Sequence, residues 1–202
     1  MSMIEKLDDG VYILHESLGV DDWKPKDNDG VVGILLVEGE HQIVVALEDS
    51  PANLQWSKEF KLVNQSIEDE EDAKSDFNGE KYCRNLNSPE FPAAYYCLNY
   101  KKGGRDWHLP SLGELWLIYR HLEEIQNALS IVGGQKFVTT GDGDVPWYWS
   151  STESMAFCYA RCLDFNDGCL YYWSDKVISR GKVRPVSNFK SIKGKKELSD
   201  LN

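Results

Sequence analysis

The sequence predicts an α+β domain, and three observations carry that reading. β-branched runs gather toward both ends of the chain, helical periodicity fills its middle, and 42% hydrophobic with 12% aromatic residues over 202 positions is a globular composition. A chain of this length is most simply one domain with a core of its own.

The elements follow in order. Val11–Leu14 is a short apolar run, and Trp23–Gly30 is a turn-rich connector. Val31–Val37 and Gln42–Leu47 are strand-like runs joined by Glu-Gly-Glu-His, which predicts a hairpin. Ser66–Asp76 is densely acidic and reads as a solvated loop or helix start; a calcium site would need oxygen ligands spaced around a glycine turn. Phe77–Leu86 and Phe91–Tyr100 read as helices. Ser111 follows Pro110 and precedes Glu114 by three, a capping box, and Leu112, Leu115, Tyr119, Leu122 and Ile125 recur at helical spacing. That helix is expected to run to about Leu129 and to stop before Gly133–Gly134. Gly141–Pro146 is a Gly/Asp loop, and from Tyr148 the chain reads as strands and turns. The expected division is an N-terminal strand and connector over 1–30, a main domain over 31–189, and a flexible Lys-rich tail over 190–202.

Charge and composition exclude several classes. A net charge of −11 argues against nucleic acid as partner, because phosphate binding needs clustered Lys and Arg. No apolar run approaches the roughly 20 residues of a membrane span. The opening Met-Ser-Met-Ile-Glu-Lys-Leu-Asp-Asp-Gly has neither a basic nor an apolar signal region, so the expectation is a cytoplasmic chain, or one exported as part of a phage-like particle. Five cysteines are an odd number and too few for a disulfide scaffold.

The most informative segment is Tyr148–Val186. Within it, Phe157–Gly181 holds no Glu, Gln or Met, one Lys (Lys176) and one Trp (Trp173), although these five types make up 47 of the 202 residues. Three of the five cysteines (Cys158, Cys162, Cys169) fall in the same stretch, with Tyr, Ser, Asp, Phe, Val, Ile, Arg and Gly. All of these are reached by randomising the two adenines of an Asn codon that ends in a pyrimidine; Lys, Glu, Gln, Met and Trp are not.

The motifs around that stretch, Tyr-Trp-Ser-Ser-Thr-Glu from Tyr148, Ala-Arg-x-Leu-x-Phe-x-x-Gly-x-Leu from Ala160 and Lys-Val-Arg-Pro-Val from Lys182, resemble the variable proteins of diversity-generating retroelements. The likeness continues through Asp106–Trp116 and, more faintly, Gly33–Asp49, so it covers most of residues 31–187. It implies a C-type-lectin-like fold, with two helices against small antiparallel sheets and long loops. It also implies fixed positions at Ala160, Arg161, Leu163, Phe165, Gly168, Leu170, Lys176 and Arg184. The diversified, ligand-binding positions would be Phe157, Cys158, Tyr159, Cys162, Asp164, Asn166, Asp167, Cys169, Tyr171, Tyr172, Ser174, Asp175, Val177, Ile178 and Ser179. Trp173 departs from the codon pattern, so it is either fixed or ordinary sequence, and it joins the binding surface as an aromatic anchor.

Catalytic chemistry finds less support in the residues. His15, His41, His108 and His121 are scattered, with no ligand pair at zinc spacing. Formylglycine-generating enzymes share the C-type-lectin-like fold and use C-terminal cysteines, but the spacing of Cys158, Cys162 and Cys169 does not reproduce their pair. Ser150 and Ser151 lack a nucleophile elbow. Asn166–Asp167 is similar to the calcium pair of sugar-binding lectins, without the Trp before it or the Pro-containing loop upstream. The expectation is therefore a non-enzymatic receptor or adhesin module, with no cofactor or metal and a protein or glycan ligand; the alternatives are a formylglycine-generating-enzyme-like oxidase using C-terminal cysteines and a structural phage or particle protein. Trp107, Leu109, Trp149 and Phe165 are expected in the core, and Arg184 in a buried polar contact. Tyr, Trp, Ser and Asp on the display surface match paratope composition.

Overall fold

A computed structural model of the protein describes residues 7–17, 20, 25–140 and 145–189. The expected tail at 190–202, most of the Gly/Asp loop and part of the connector lie outside the described residues.

The hairpin forms as expected. Strand β2 (Val31–Glu38) pairs antiparallel with β3 (His41–Val45) through a two-residue turn, and β1 (Gly10–His15) pairs with the other edge of β2. The short strand β7 (Val186–Asn188) closes the far side on β3, giving a four-stranded antiparallel sheet in the order β1-β2-β3-β7. The first strand is thus an integral part of the domain that holds the hairpin. β2 is buried on both faces, because Ile34 and Leu36 face a main core while Val32, Leu35 and Val37 face a second cluster capped by Trp107.

Between the sheets the chain is helical: α1 (Glu70–Lys74), α2 (Gly79–Asn85), α3 (Pro92–Asn99), α4 (Leu112–Arg120) and α5 (Leu122–Val132). The acidic run supplies α1, whose first turn is capped by Asp69 accepting from the Asp72 N–H at 2.9 Å. The capping box starts α4, with Glu114 accepting the Ser111 N–H at 2.7 Å. Gly133 ends α5 in the left-handed region at φ 72°.

Two expectations about helices change. There are five α-helices among the described residues, and the run from Ser111 to Leu129 is two of them, broken at His121 (φ −109°, ψ 23°). The break is held from outside the helix. Glu38, at the end of β2, accepts from Arg120 Nη2 at 2.7 Å and lies 2.7 Å from His121 Nε2. Burial alone would raise the Glu38 carboxyl, but the bonds from His121 and Arg120 outweigh it and hold it below its usual value.

The second sheet, β4 (Trp147–Glu153), β5 (Tyr159–Asp164) and β6 (Leu170–Asp175), is antiparallel in that order. Tyr148, Leu163 and Phe165 join Ile34, Leu36, Leu115, Ile118 and Ile125 in the main core. Trp149, Ala160 and Cys162 pack with Trp56, Cys83, Phe91 and Cys97 of the helical side in another. Each buried aliphatic or aromatic side chain here contributes about 1.5–3 kcal/mol. The architecture is a mixed α+β fold with small antiparallel sheets.

Candidate functional site

The site is the second sheet with its turns. Its frame is built from the motif that begins at Tyr148, and every side chain of that motif is buried. The Tyr148 hydroxyl donates to Asp49 Oδ2 at 3.0 Å, and the Trp149 indole to Leu54 O at 2.8 Å. Ser150 donates to Arg161 O at 2.8 Å, and Thr152 to Asp76 Oδ2 at 2.7 Å. Glu153 accepts from the Val63 and Asn64 N–H groups at 3.0 and 2.7 Å and pairs with Lys176. Burial of these hydroxyls and carboxylates is tolerable because nearly all find partners; the Ser151 hydroxyl does not.

The presumed fixed positions behave as frame. Ala160, Arg161, Leu163, Phe165, Lys176 and Arg184 are buried, and Leu170 is half-buried against the main core. Arg161 donates to the carbonyls of Ile67 and Glu68. Arg184 donates to Asp49 Oδ1, Ala46 O and Gln135 O, the buried polar contact expected of it. Burial lowers the Lys176 ammonium from its usual range, against the pull of Glu153. Gly168 turns the β5–β6 connection at φ 77°, with the Tyr119 ring packed where a side chain would stand. Trp107, Leu109, Trp149 and Phe165 are buried as expected.

On the other side of this frame is an aromatic surface. Tyr171 pairs with Cys162 and Ser174 with Ala160, so Tyr172 and Trp173 together oppose Arg161 alone. This is a β-bulge, which interrupts the alternation of sides and re-aims side chains. The two rings meet edge-on at 4.6 Å, and Tyr171 lies 6.3 Å from Trp173. Tyr172 is 46% and Trp173 55% exposed, whereas Trp149 is 0%. Of nine exposed large apolar side chains among the described residues, five (Met155, Phe157, Tyr172, Trp173, Ile178) lie in this segment. Asn166, Asp167 and Cys169 are exposed, and Cys158, Tyr159, Tyr171, Ser174, Asp175, Val177 and Ser179 are half-buried.

Two residues expected on that surface are not on it. Cys162 is 0% exposed, packed among Trp149, Ala160 and the α3 residues, with its sulfur 3.0 Å from Ser174 Oγ. Burial pushes its thiol up to about 12. Asp164 is 8% exposed, opposite Trp147 in register, and its Oδ1 accepts the Asn166 N–H at 2.8 Å. The reason is common to both: β5 is packed on both faces, with Leu163 and Phe165 in the main core and Ala160 and Cys162 in the other, so it has no solvent face to alternate with. All five cysteines are free thiols.

Sequence reasoning missed the neighbours of this surface. Phe60 and Leu62, two more of the nine exposed apolar side chains, come from a segment without periodicity. Phe60 meets Phe157 edge-on at 6.4 Å. The segment is fastened by Ser57 N–H to Lys176 O at 3.0 Å, Lys176 Nζ to Lys61 O at 2.9 Å, and Gln55 to Val177 O. No local signal in the sequence announces such long-range bonds.

No protein-family model and no curated protein matches the chain. Among solved structures, the fold is similar to a fimbrial protein from Bacteroides ovatus, at a TM-score of 0.68 and 15% identity. The likeness covers 91% of this chain and 49% of the other, so the chain spans about half the length of that structure. At this identity the likeness concerns the fold. Among the described residues, no helix is long and apolar enough to cross a membrane, and no group of three or more His, Cys, Asp or Glu is placed to hold a metal ion.

Proposed function

We propose that the protein is a non-enzymatic, adhesin-type binding module that displays a variable surface, the expected ligand-binding positions between Phe157 and Ser179 without Cys162 and Asp164, on a C-type-lectin-like scaffold. The observation that carries the reading is the gathering of exposed Phe157, Tyr172, Trp173 and Ile178 beside a buried, largely hydrogen-bonded frame. Apolar patches of this kind are uncommon on monomers unless they bind something. Energy would concentrate in the aromatic anchors, with Ser and Asp adapting around them. The fimbrial description of the Bacteroides structure agrees with a surface role, and the codon pattern of the segment supports diversification.

Replacing Phe157, Tyr172 and Trp173 together by Ser tests the binding reading. Glycans and immobilised surface proteins are screened with both forms. The partners that wild type retains should be lost while the melting temperature stays within a few degrees, and partners that survive the triple substitution sink the reading. Diversification has its own test in the neighbouring DNA: a near-copy of the segment, with adenines at the divergent bases, beside a reverse transcriptase.

A further inference from the structure

We infer that the β6 surface takes a basic partner, a protein segment presenting Lys or Arg side chains. The inference rests on the binding reading above and adds to it the chemistry of the ligand. Tyr171, Tyr172 and Trp173 form a cluster of touching rings on an edge strand. The faces of such rings carry negative potential, strongest for Trp, and attract ammonium and guanidinium groups.

The ends of the strand add carboxylates of the matching sign. Asp167 lies exposed in the turn before β6, and Asp175 is the last residue of the strand and half-buried. Each is ordered by its own turn through Oδ1: Asp167 accepts the Cys169 N–H at 2.9 Å, and Asp175 the Val177 and Ile178 N–H groups at 2.9 and 2.8 Å. Among the described residues neither enters an ion pair. The Tyr171 hydroxyl is raised first by burial and then by acidic neighbours, Asp164, Cys169 and Asp167 among them.

The bases of the same segment are turned elsewhere. Lys176 is buried on Glu153, Arg161 is spent on the carbonyls of Ile67 and Glu68, and the Arg180 guanidinium folds back on the carbonyls of Val177, Ile178 and Ser179. A cation arriving at the rings therefore meets aromatic faces and uncompensated carboxylates together. An acidic peptide or sialylated glycan would meet like charge, and the net charge of −11 steers in the same direction.

The test uses the full chain and three immobilised peptides, identical except that one carries Lys and Arg, one Glu and one Gln at the same positions. Three variants accompany wild type, each with its fold checked by thermal melting. Trp173→Ala removes the main ring. The double Asp167→Asn, Asp175→Asn keeps each Oδ1 acceptor and removes the charge. The double Glu123→Gln, Glu124→Gln removes the same charge from exposed positions elsewhere. Wild type should hold the Lys/Arg peptide about tenfold better than the Glu peptide, and both site variants should lose about that factor while the remote double keeps it. Equal loss in the remote double would mean diffuse attraction and overturn the inference. Trp173-dependent retention of the Gln or Glu peptide overturns the basic class and leaves the binding surface standing. Retention of no peptide in a Trp173-dependent way overturns the inference, while the binding reading is still decided by its own screen.

Discussion

Lys176 donates to Glu153 with both side chains fully buried, and the pair ties the end of β6 to β4 across the middle strand of the sheet. The same ammonium donates to Lys61 O and sits 4.5 Å from the centroid of the Trp56 ring, while the same carboxylate holds the Val63 and Asn64 N–H groups. This one lysine of the 157–181 segment thus positions the loop that carries Phe60 and Leu62. A charge this deep cannot be left without its partner.

Lys176→Met should destabilise the protein by about 3–5 kcal/mol, since it strands the Glu153 carboxylate. Adding Glu153→Gln should return part of that loss, giving a coupling energy of about 0.5–3 kcal/mol in a double-mutant cycle. Urea unfolding of the four forms measures it. Additive effects would mean that the two groups do not share a buried site.

The two tryptophans of β4 and β6 should separate frame from display. Trp149→Ala removes a fully buried ring bonded to Leu54 O and should cost about 3–5 kcal/mol. Trp173→Ala removes an exposed ring and should stay within about 0.5 kcal/mol. Similar losses at both would erase the division on which the proposed surface depends.

The division itself was largely legible in the sequence, because local chemistry specified it. The capping box placed the start of α4, the β-branched runs placed β2 and β3, and the Tyr148 motif placed residues whose side chains all turned out to be buried. What could not be read was set by partners far along the chain. Where periodicity alone continues, the helix breaks at His121, whose ring meets Glu38, 83 residues earlier. Cys162 and Asp164 are buried because β5 has a neighbour on each side and packing on both faces, while the bulge at Tyr172–Trp173 undoes simple alternation in β6.

Glu38 makes a pH prediction. Its folded carboxyl lies below the ordinary 4.5, so around and below that value the folded state holds fewer protons than the unfolded one. The stabilisation is therefore complete near neutrality and is lost as pH falls through the folded value. Glu38→Gln should cost under about 1 kcal/mol at pH 7, given partial exposure of the pair, and the difference from wild type should close as pH drops below 4.5. A difference that persists at low pH would assign the loss to packing instead.

Two cysteines of the same segment give the sharpest test of where the proposed variable surface ends. Both would be reachable as Tyr by adenine substitution of an Asn codon, so a surface read from codon pattern alone treats them alike. Cys169 is exposed, and Cys169→Tyr should leave stability within about 0.5 kcal/mol. Cys162 is enclosed by Trp149, Ala160 and the α3 residues, and its thiol already touches Ser174. A phenol ring there must displace close-packed neighbours, so Cys162→Tyr should cost about 1–3 kcal/mol or more. Thermal melting of the two variants decides the matter. Equal melting temperatures would mean that β5 opens to solvent after all, and that Cys162 belongs back among the displayed positions.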